Sequence, residues 1–271
     1  MYALDFEYDD QYLSDYGFII CDFNSSSGAN IVSAGSKITF NTVSHNKGKH
    51  HSLVGTQYDE YIQITFDICK NPDIYDDLRI TNDEYKDLMR WLNRKEFLKF
   101  QIIEDEIFNE RGSCYYNASF NVNKIKIREI LYGLELTMET DKPFGYGQEQ
   151  RLYWDFSDIT KSYLLRDISD EIGYTYPSMV ITCIADGELS IHNETENCTM
   201  TIKDCKAGEV ITIDGETQII SSSFENHDIY NDFNYDFFRI GNTINRRNNK
   251  ISVSLPCKLE IRYSPIIKDT P

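Results

Sequence analysis

Three histidines within seven residues, His45, His50 and His51, are the first candidates for metal chemistry. Imidazole nitrogens are common metal ligands, but these three match no regular ligand spacing. The surrounding segment is polar and contains glycine, which is typical of a loop. We therefore interpret them as solvated loop histidines, and a metal centre is the weaker alternative.

A second candidate is the segment from Asp232 to Asp236, whose D-x-N-x-D pattern matches the opening of a calcium-binding loop. Such a loop needs glycine at its sixth position, where the sequence has Phe237. It also needs a bidentate glutamate at its twelfth position, where the sequence has Thr243. The pattern fails at both positions, so no metal site is predicted.

Other recognised chemical motifs are absent from the sequence. The run Gly145-Tyr146-Gly147 lacks the third glycine of a dinucleotide fingerprint and does not open a helix. The phosphate-binding, zinc-protease and serine-hydrolase signatures do not occur. A glycosidase needs one defined pair of carboxylates, and among 44 acidic residues no pair stands out. The sequence therefore predicts a protein that is not an enzyme and needs no cofactor.

Composition restricts the partners and the compartment. A formal net charge of -17 predicts repulsion from nucleic acid and from anionic membranes. The seven cysteines are scattered and form no CxxC pair, which favours reduced thiols over a disulfide framework or a zinc site. The first residues show no secretion signal, and no apolar run reaches the roughly 20 residues of a membrane helix.

The first half of the chain alternates between apolar and polar residues, as strands do. In residues 61–68 the side chains of Ile62, Ile64, Phe66 and Ile68 share one face. Residues 41–57 are polar and lie between strand-like segments, which predicts a long projecting hairpin.

One helix is predicted at about residues 82–94. It begins with a capping box in which Thr81 is the N-cap and Glu84 reaches back to it. The apolar stripe is formed by Tyr85, Leu88, Met89 and Leu92. Trp91 lies at the edge of this stripe, where it serves either the core or a contact between subunits.

The chain divides at Asp141-Lys142-Pro143-Phe144-Gly145-Tyr146-Gly147, because proline and glycine after a clean strand mark a boundary. The predicted domains are residues 1–145 and 146–271. In the second domain short alternating segments are separated by turns, among them the hairpin signal Asp214-Gly215, which together predict a β-sandwich.

Several segments, in this order, resemble the distal tail (Dit-like) proteins of long-tailed phages. They are the junction at 141–147, the strand entry Tyr176-Pro177-Ser178-Met179-Val180-Ile181, the strand 208–215 that ends in Asp-Gly, the segment 234–238 before Gly241-Asn242-Thr243-Ile244, and the closing Glu260-Ile261-Arg262-Tyr263-Ser264-Pro265. The chain departs from the family at Tyr235-Asp236, where the family usually has a proline.

The resemblance implies a ring-forming belt domain, mainly β with one helix and an extended hairpin near 28–57, followed by a galectin-like β-sandwich. It implies a hexamer, in one ring or in stacked rings, at the distal end of the tail tube. The implied partners are the tail tube protein, the tail-tip or tail-associated lysin protein and the receptor-binding proteins. The implied location is the tail tip of a virion made in the bacterial cytoplasm, with the genome passing through an acidic channel and not bound by sequence. A channel wall rich in Lys and Arg would contradict that acidic lining.

Two sets of contact residues follow as hypotheses. Trp91, His50 and His51 are the candidate contacts of the ring interface. An aromatic cluster, formed by Tyr230, Tyr235, Phe237 and Phe238, is the candidate contact for a sugar or a protein partner; alternatively, it packs over one end of the sandwich. A carbohydrate-binding host adhesin is therefore the alternative function, and a cell-wall hydrolase is a third.

Overall fold

The computed structural model describes residues 5–23, 37–45, 50–58, 61–103 and 114–268 and is mainly β, as expected from the sequence. Within these ranges the chain forms two compact units, which divide between Gln148 and Glu149. Ile267 and Lys268 also belong to the first unit. Each unit has a hydrophobic core of its own. No helix in these ranges has the length and apolarity to span a bilayer.

The first unit is built on one antiparallel sheet of seven strands in the order β2-β1-β7-β8-β9-β6-β3. A separate pair, β4 and β5, forms a hairpin of its own. The strands and helices of this unit are β1 Asp5–Tyr8, β2 Gln11–Tyr12, a 3₁₀ turn Leu13–Tyr16, β3 Phe18–Cys21, β4 Ile38–His45, β5 His50–Tyr58, β6 Gln63–Lys70, α1 Asn82–Leu92, β7 Leu98–Ile103, β8 Tyr116–Ile127, β9 Ile130–Thr140 and β10 Gly145–Tyr146.

The alternation of β6 predicts its buried face only in part. Ile62 and Ile68 are buried and Ile64 and Phe66 are half-buried, which confirms the apolar face. Asp67, however, lies on the opposite face and is also buried, because residues 22–23 lie beside it and the backbone N–H of Phe23 donates to its carboxylate at 3.3 Å. Alternation predicts which side chains share a face, and the fold decides whether a face is covered.

Helix α1 begins where its capping box predicts. The Glu84 Oε2 atom accepts from the Thr81 N–H at 2.7 Å, and the Thr81 Oγ1 atom accepts from the Glu84 N–H. The other oxygen of Glu84 lies 2.8 Å from Nζ of the nearly buried Lys70, so the cap also ties the helix to β6. The helix ends at Leu92, two residues before the predicted Arg94.

Gly145, in the short strand β10 of the first unit, is required by close packing. A Cβ atom at this position would lie 2.4 Å from Sγ of Cys114 and 2.8 Å from the Tyr116 ring. No L side chain fits there without a shift of both neighbours, because real Cβ contacts are longer. The sequence predicted a loop here, whereas the structure places Gly145 in a two-residue strand and gives the steric reason for a glycine.

The second unit is a β-sandwich of a five-stranded sheet, β11-β21-β14-β17-β18, and a four-stranded sheet, β12-β20-β15-β16. Inward side chains of both sheets, such as Ile181 and Leu259 from the first and Ile191 and Met200 from the second, share one core. Its elements are β11 Gln150–Asp155, β12 Tyr163–Arg166, β13 Gly173–Thr175, β14 Ser178–Cys183, β15 Gly187–Asn193, β16 Cys198–Cys205, β17 Val210–Asp214, β18 Ile219–Ser222, α2 Ile229–Asp232, β19 Ile240–Asn242, β20 Asn248–Val253 and β21 Cys257–Tyr263, followed by β22 Ile266–Ile267 at the chain end.

Candidate functional site

The most unusual surface of the first unit is the hairpin of β4 and β5, which we call the arm. Its strands pair antiparallel from Ile38↔Tyr58 to His45↔His50, with a bulge next to Asn41. The residues at its turn, and residues 28–36 of the hairpin that the sequence predicted, lie outside the described ranges. Among the described residues the arm forms a two-stranded sheet separate from the seven-stranded one.

The arm exposes large apolar side chains. Ile38, Phe40 and Leu53 share one face by the strand register, and 63% of Phe40 and 59% of Leu53 are exposed. Val43 and Val54 are exposed as well. An isolated two-stranded hairpin is marginally stable in water, and exposed apolar strand faces are found mainly at interfaces. The arm therefore has the properties of a segment that another chain covers.

At its root the arm is fastened to the chain end of the same unit. The Lys268 ammonium donates to the Tyr58 hydroxyl at 2.6 Å and lies 5.0 Å from the centre of the Tyr58 ring. A charge-assisted hydrogen bond together with a cation–π contact holds the last residue of β5 in place. The last residue of β5 is thus held by a residue 210 positions away in sequence.

The three residues assigned to a ring interface have different environments. His50 is the partner of His45 in the last described pair of the arm, where only the backbone of both is described, and His51 is exposed opposite Ser44. Trp91, in contrast, is 4% exposed. This corrects the assignment of Trp91, because a side chain enclosed in its own unit is not available to another subunit.

Trp91 lies at the centre of the first core. Its ring stacks on Phe6 with centroids 5.6 Å apart and on Tyr16 at 4.6 Å. Its indole N–H donates to the backbone oxygen of Tyr8 at 2.9 Å. The buried face of α1 is consequently centred on Leu88, Trp91 and Leu92, and Met89 is only half-buried.

The aromatic cluster of the second unit, residues 230–238, divides into two pairs. Tyr230 and Tyr235 are 56% and 63% exposed, and the Tyr235 hydroxyl donates to the Tyr230 backbone oxygen at 2.9 Å. Phe238 is 2% exposed, and Phe237 packs edge-on against the buried Phe233. Phe238 is therefore removed from the set of candidate contacts, since its side chain belongs to the core.

The D-x-N-x-D segment closes the edge of a sheet. The Asn234 amide oxygen accepts from the Thr201 N–H at 3.1 Å, and its amide nitrogen donates to the Thr199 oxygen at 2.9 Å. Asn234 thus occupies the hydrogen-bonding edge of β16, and the segment is shaped by that contact. In the described ranges no group of three His, Cys, Asp or Glu residues is placed to hold a metal ion.

A buried ion pair that the sequence did not reveal holds the aromatic cluster. Glu209 is fully buried; it accepts hydrogen bonds from His227 Nδ1 and the Ser222 hydroxyl, both at 2.5 Å, and from the Lys206 N–H at 2.9 Å. On the other side of the imidazole, Nε2 lies 3.5 Å from Asp232 Oδ2, at the end of α2.

Both pKa values of this pair move toward the charged forms. Burial alone would raise the pKa of Glu209, but the hydrogen bonds from His227 and Ser222 outweigh it and lower that pKa. Burial likewise opposes charge on His227, but the Glu209 carboxylate outweighs it and raises the pKa of the imidazole. The ion pair thereby fastens the start of the aromatic cluster to the strand β17 that follows Glu209.

Comparison with known proteins agrees with this architecture. Residues 1–142 match the family profile of the phage tail protein N-terminal domain, and residues 144–263 match that of the phage tail C-terminal domain. A SPbeta prophage-derived uncharacterized protein of Bacillus subtilis (strain 168), YomH, is 27% identical over 133 residues, which cover 48% of this chain and 50% of that protein. The match thus spans about half the length of that curated relative.

A solved structure extends the likeness to the whole fold. The Dit (gp 19.1) protein of phage SPP1, described as a paradigm of hub adsorption apparatus in phages that infect Gram-positive bacteria, has a TM-score of 0.66 to this chain. The alignment covers 96% of this chain and 98% of that one at 12% identity, so it speaks for the fold alone. Taken with the profile matches to both halves, it shows that this chain belongs to the phage tail protein family and has a Dit-like fold.

Proposed function

We propose that the protein is a hub at the distal end of a phage tail, in which six copies form a ring through the first unit. The ring connects the tail tube to the tail tip or baseplate and leaves a channel for the genome. The arm is the observation that carries this proposal, because its apolar face has no cover among the described residues of its own chain. A second copy is the occupant that we assign to it, in keeping with the Dit-like fold. The role is structural and requires no catalytic residue.

The ring assignment predicts the effect of a charge on the arm. Phe40→Asp and Leu53→Asp each place a carboxylate on the shared apolar face, where burial against another chain would cost several kcal/mol. We expect either variant to raise the concentration needed for oligomer formation at least about tenfold, which corresponds to roughly 1.4 kcal/mol. Light scattering after size exclusion measures this directly.

Thr39→Asp is the matched control, because it adds the same charge to the same strand but on the opposite face. Since the arm lies outside the core, circular dichroism and thermal unfolding should be unchanged in all three variants. A wild-type chain that stays monomeric at high concentration and fails to join purified tail components would refute the ring. Equal assembly of the two apolar-face variants and the wild type would refute the arm as its interface.

We further propose that the second unit is a galectin-like sandwich that anchors receptor-binding proteins through Tyr230 and Tyr235. Two exposed tyrosines joined by a hydrogen bond form a rigid aromatic surface, and tyrosine is enriched among residues that dominate binding energy. The ion pair of Glu209 and His227 lies beside this surface, because His227 is 3.5 Å from Asp232 in the helix α2 that carries Tyr230. Stacking of the same two rings on a sugar is the alternative, as in a carbohydrate-binding adhesin.

Replacement of Tyr235 tests this surface. Tyr235 has a φ of +58°, and asparagine tolerates that backbone conformation well, so Tyr235→Asn removes the ring with little strain. We expect the affinity for the receptor-binding protein of the same particle to fall about thirtyfold. This corresponds to a loss of about 2 kcal/mol of binding free energy, which is typical of a residue that dominates an interface. Biolayer interferometry measures the loss, and a glycan array tests sugar binding separately.

Tyr153→Ala is the control for this experiment, because Tyr153 is equally exposed but lies on strand β11. A loss of glycan binding without any loss of protein binding would favour the adhesin. If both variants bind the receptor-binding protein as the wild type does, docking takes place elsewhere on the molecule.

A further inference from the structure

Two cysteines of the first unit, Cys21 and Cys69, lie on adjacent strands and on the same face of the sheet. The register pairs Ile19 with Cys69 and Cys21 with Asp67, so the two thiols are diagonal neighbours across β3 and β6. Such diagonal neighbours lie on the same face of the two strands, and here each cysteine shifts the pKa of the other, that of Cys21 upward and that of Cys69 downward. Both residues are half-buried, and both thiols are free.

A second pair of cysteines provides an internal comparison. Cys183 and Cys205 also shift each other's pKa, but they are 1% and 0% exposed in the core of the sandwich. The two pairs share this mutual effect and differ in access. A reagent that must reach a sulfur atom can therefore act on the first pair and not on the second.

We propose that Cys21 and Cys69 are a modification site, a dithiol that closes to an intrachain disulfide once the protein has left the reducing interior of the cell. This rests on the location of the protein in a tail, since the surface of a virion is an oxidising environment. Among the described residues β3 is the terminal strand of the seven-stranded sheet. The bond would fasten this terminal strand to β6.

The two thiols differ in acidity, which gives them different parts in the reaction. The interaction between them lowers the pKa of Cys69 and raises that of Cys21. Cys69 is therefore the attacking thiolate and Cys21 is the resolving thiol. With oxidised glutathione, the Cys69 sulfur attacks one glutathione sulfur and releases the first glutathione thiolate. The Cys21 sulfur then loses its proton, attacks Cys69 in the mixed disulfide and releases the second one.

The reaction balances without any other reagent. The protein loses two protons and two electrons as one sulfur–sulfur bond forms, and one molecule of oxidised glutathione becomes two of the reduced form. The neighbouring Asp67 carboxylate is a charged group that both thiols face, and it works against thiolate formation. The interaction with Cys21 offsets this at Cys69, whose pKa is lowered.

Mass spectrometry of the purified, reduced full chain tests the proposal. After incubation with oxidised glutathione we expect a mass loss of about 2 Da, from two hydrogens, and a cross-linked peptide that joins Cys21 to Cys69. Cys21→Ser should stop at a glutathione adduct on Cys69, and Cys69→Ser should not form the cross-link. Cys205→Ser should form the cross-link as the wild type does.

The outcome is independent of assembly, because the chain is treated alone and the product is an intrachain bond. An unchanged mass, a glutathione adduct as the only product in the wild type, or a cross-link between Cys183 and Cys205 in place of the proposed one would overturn the site. None of these results bears on the ring, and loss of the ring leaves the thiol chemistry as it is. The two proposals can thus fail separately.

Discussion

Replacement of Trp91 by alanine is expected to lower the free energy of unfolding of the first unit by about 3–5 kcal/mol, the usual cost of a large core aromatic. The indole ring fills the space between Phe6 and Tyr16 and satisfies the Tyr8 carbonyl. Alanine would leave a cavity between Phe6 and Tyr16, and the buried backbone oxygen of Tyr8 would lose the indole N–H as its donor. Denaturant unfolding of the chain under dilute conditions measures the change.

Trp91→Phe is the graded control. Phenylalanine keeps an aromatic ring between Phe6 and Tyr16 but cannot donate to Tyr8, so we expect a smaller loss than in Trp91→Ala. The exposed Phe97 provides a surface comparison, since Phe97→Ala should change stability little. Normal stability of Trp91→Ala combined with defective assembly would mean that Trp91 contacts a neighbouring subunit after all.

Replacement of Glu209 by alanine is the second change with a large expected effect. We expect it to lower the free energy of unfolding of the second unit by about 3–5 kcal/mol. The change removes the acceptor for His227, Ser222 and the Lys206 N–H, and leaves His227 buried with Asp232 as its remaining charged neighbour. Glu194→Ala is the matched control: Glu194 is also a carboxylate in an ion pair of this unit, with Lys250, but it is solvent-exposed. Exposed pairs contribute about 0–1 kcal/mol, so the control should change little.

The same ion pair predicts how stability depends on pH. The pKa of His227 is raised above its ordinary 6.5, so its contribution is complete below pH 6.5 and is lost as the pH rises through the raised value. The pKa of Glu209 is lowered below its ordinary 4.5, so its contribution is complete above pH 4.5 and is lost as the pH falls through the lowered value. We therefore expect the second unit to be most stable between pH 4.5 and pH 6.5, where both contributions are complete.

His227→Gln and Glu209→Gln separate the two limbs of this profile. The first variant should abolish the decline on the alkaline side, and the second should abolish most of the decline on the acidic side. The groups that face the imidazole are Glu209, Asp232 and Cys205, and His192→Gln serves as the control because His192 is hydrogen-bonded to Thr199 instead. Calorimetry across the pH range gives the profile, and an unchanged alkaline limb in His227→Gln would contradict the assignment.

Much of the fold could be predicted because its signals are local. The capping box at Thr81 and Glu84 involves residues three apart, and the hairpin signal Asp214-Gly215 joins β17 to the strand that follows. Alternation in residues 61–68 and 134–139 predicted two strands, and the structure shows that they pair, with Phe66↔Leu136 and Ile68↔Leu134. These features depend on backbone geometry over a few residues, which the residue types report directly.

Side-chain roles at the candidate sites were predictable only in part. The sequence placed Trp91 at the edge of a helical stripe, yet the structure centres the stripe on it, because Phe6 and Tyr16 come from segments distant along the chain. It grouped Tyr230, Tyr235, Phe237 and Phe238 as one cluster, yet in the structure Phe238 is buried, and Tyr230 and Tyr235 are exposed. Packing against residues distant in sequence decides which side chains of such a cluster face the core.

By itself the amino-acid sequence determined that this protein is mainly β, that its chain changes character near residues 141–147, and that a polar hairpin precedes the first strong strand. The tertiary structure alone decided that Glu209 contacts His227, that Cys21 and Cys69 lie on one face of adjacent strands, and that no other described residues cover the apolar face of the arm. The physical reason is the separation in sequence between the residues that make each contact. Periodicity and caps arise among neighbours in sequence, whereas these contacts join residues that only the order of strands in a sheet brings together.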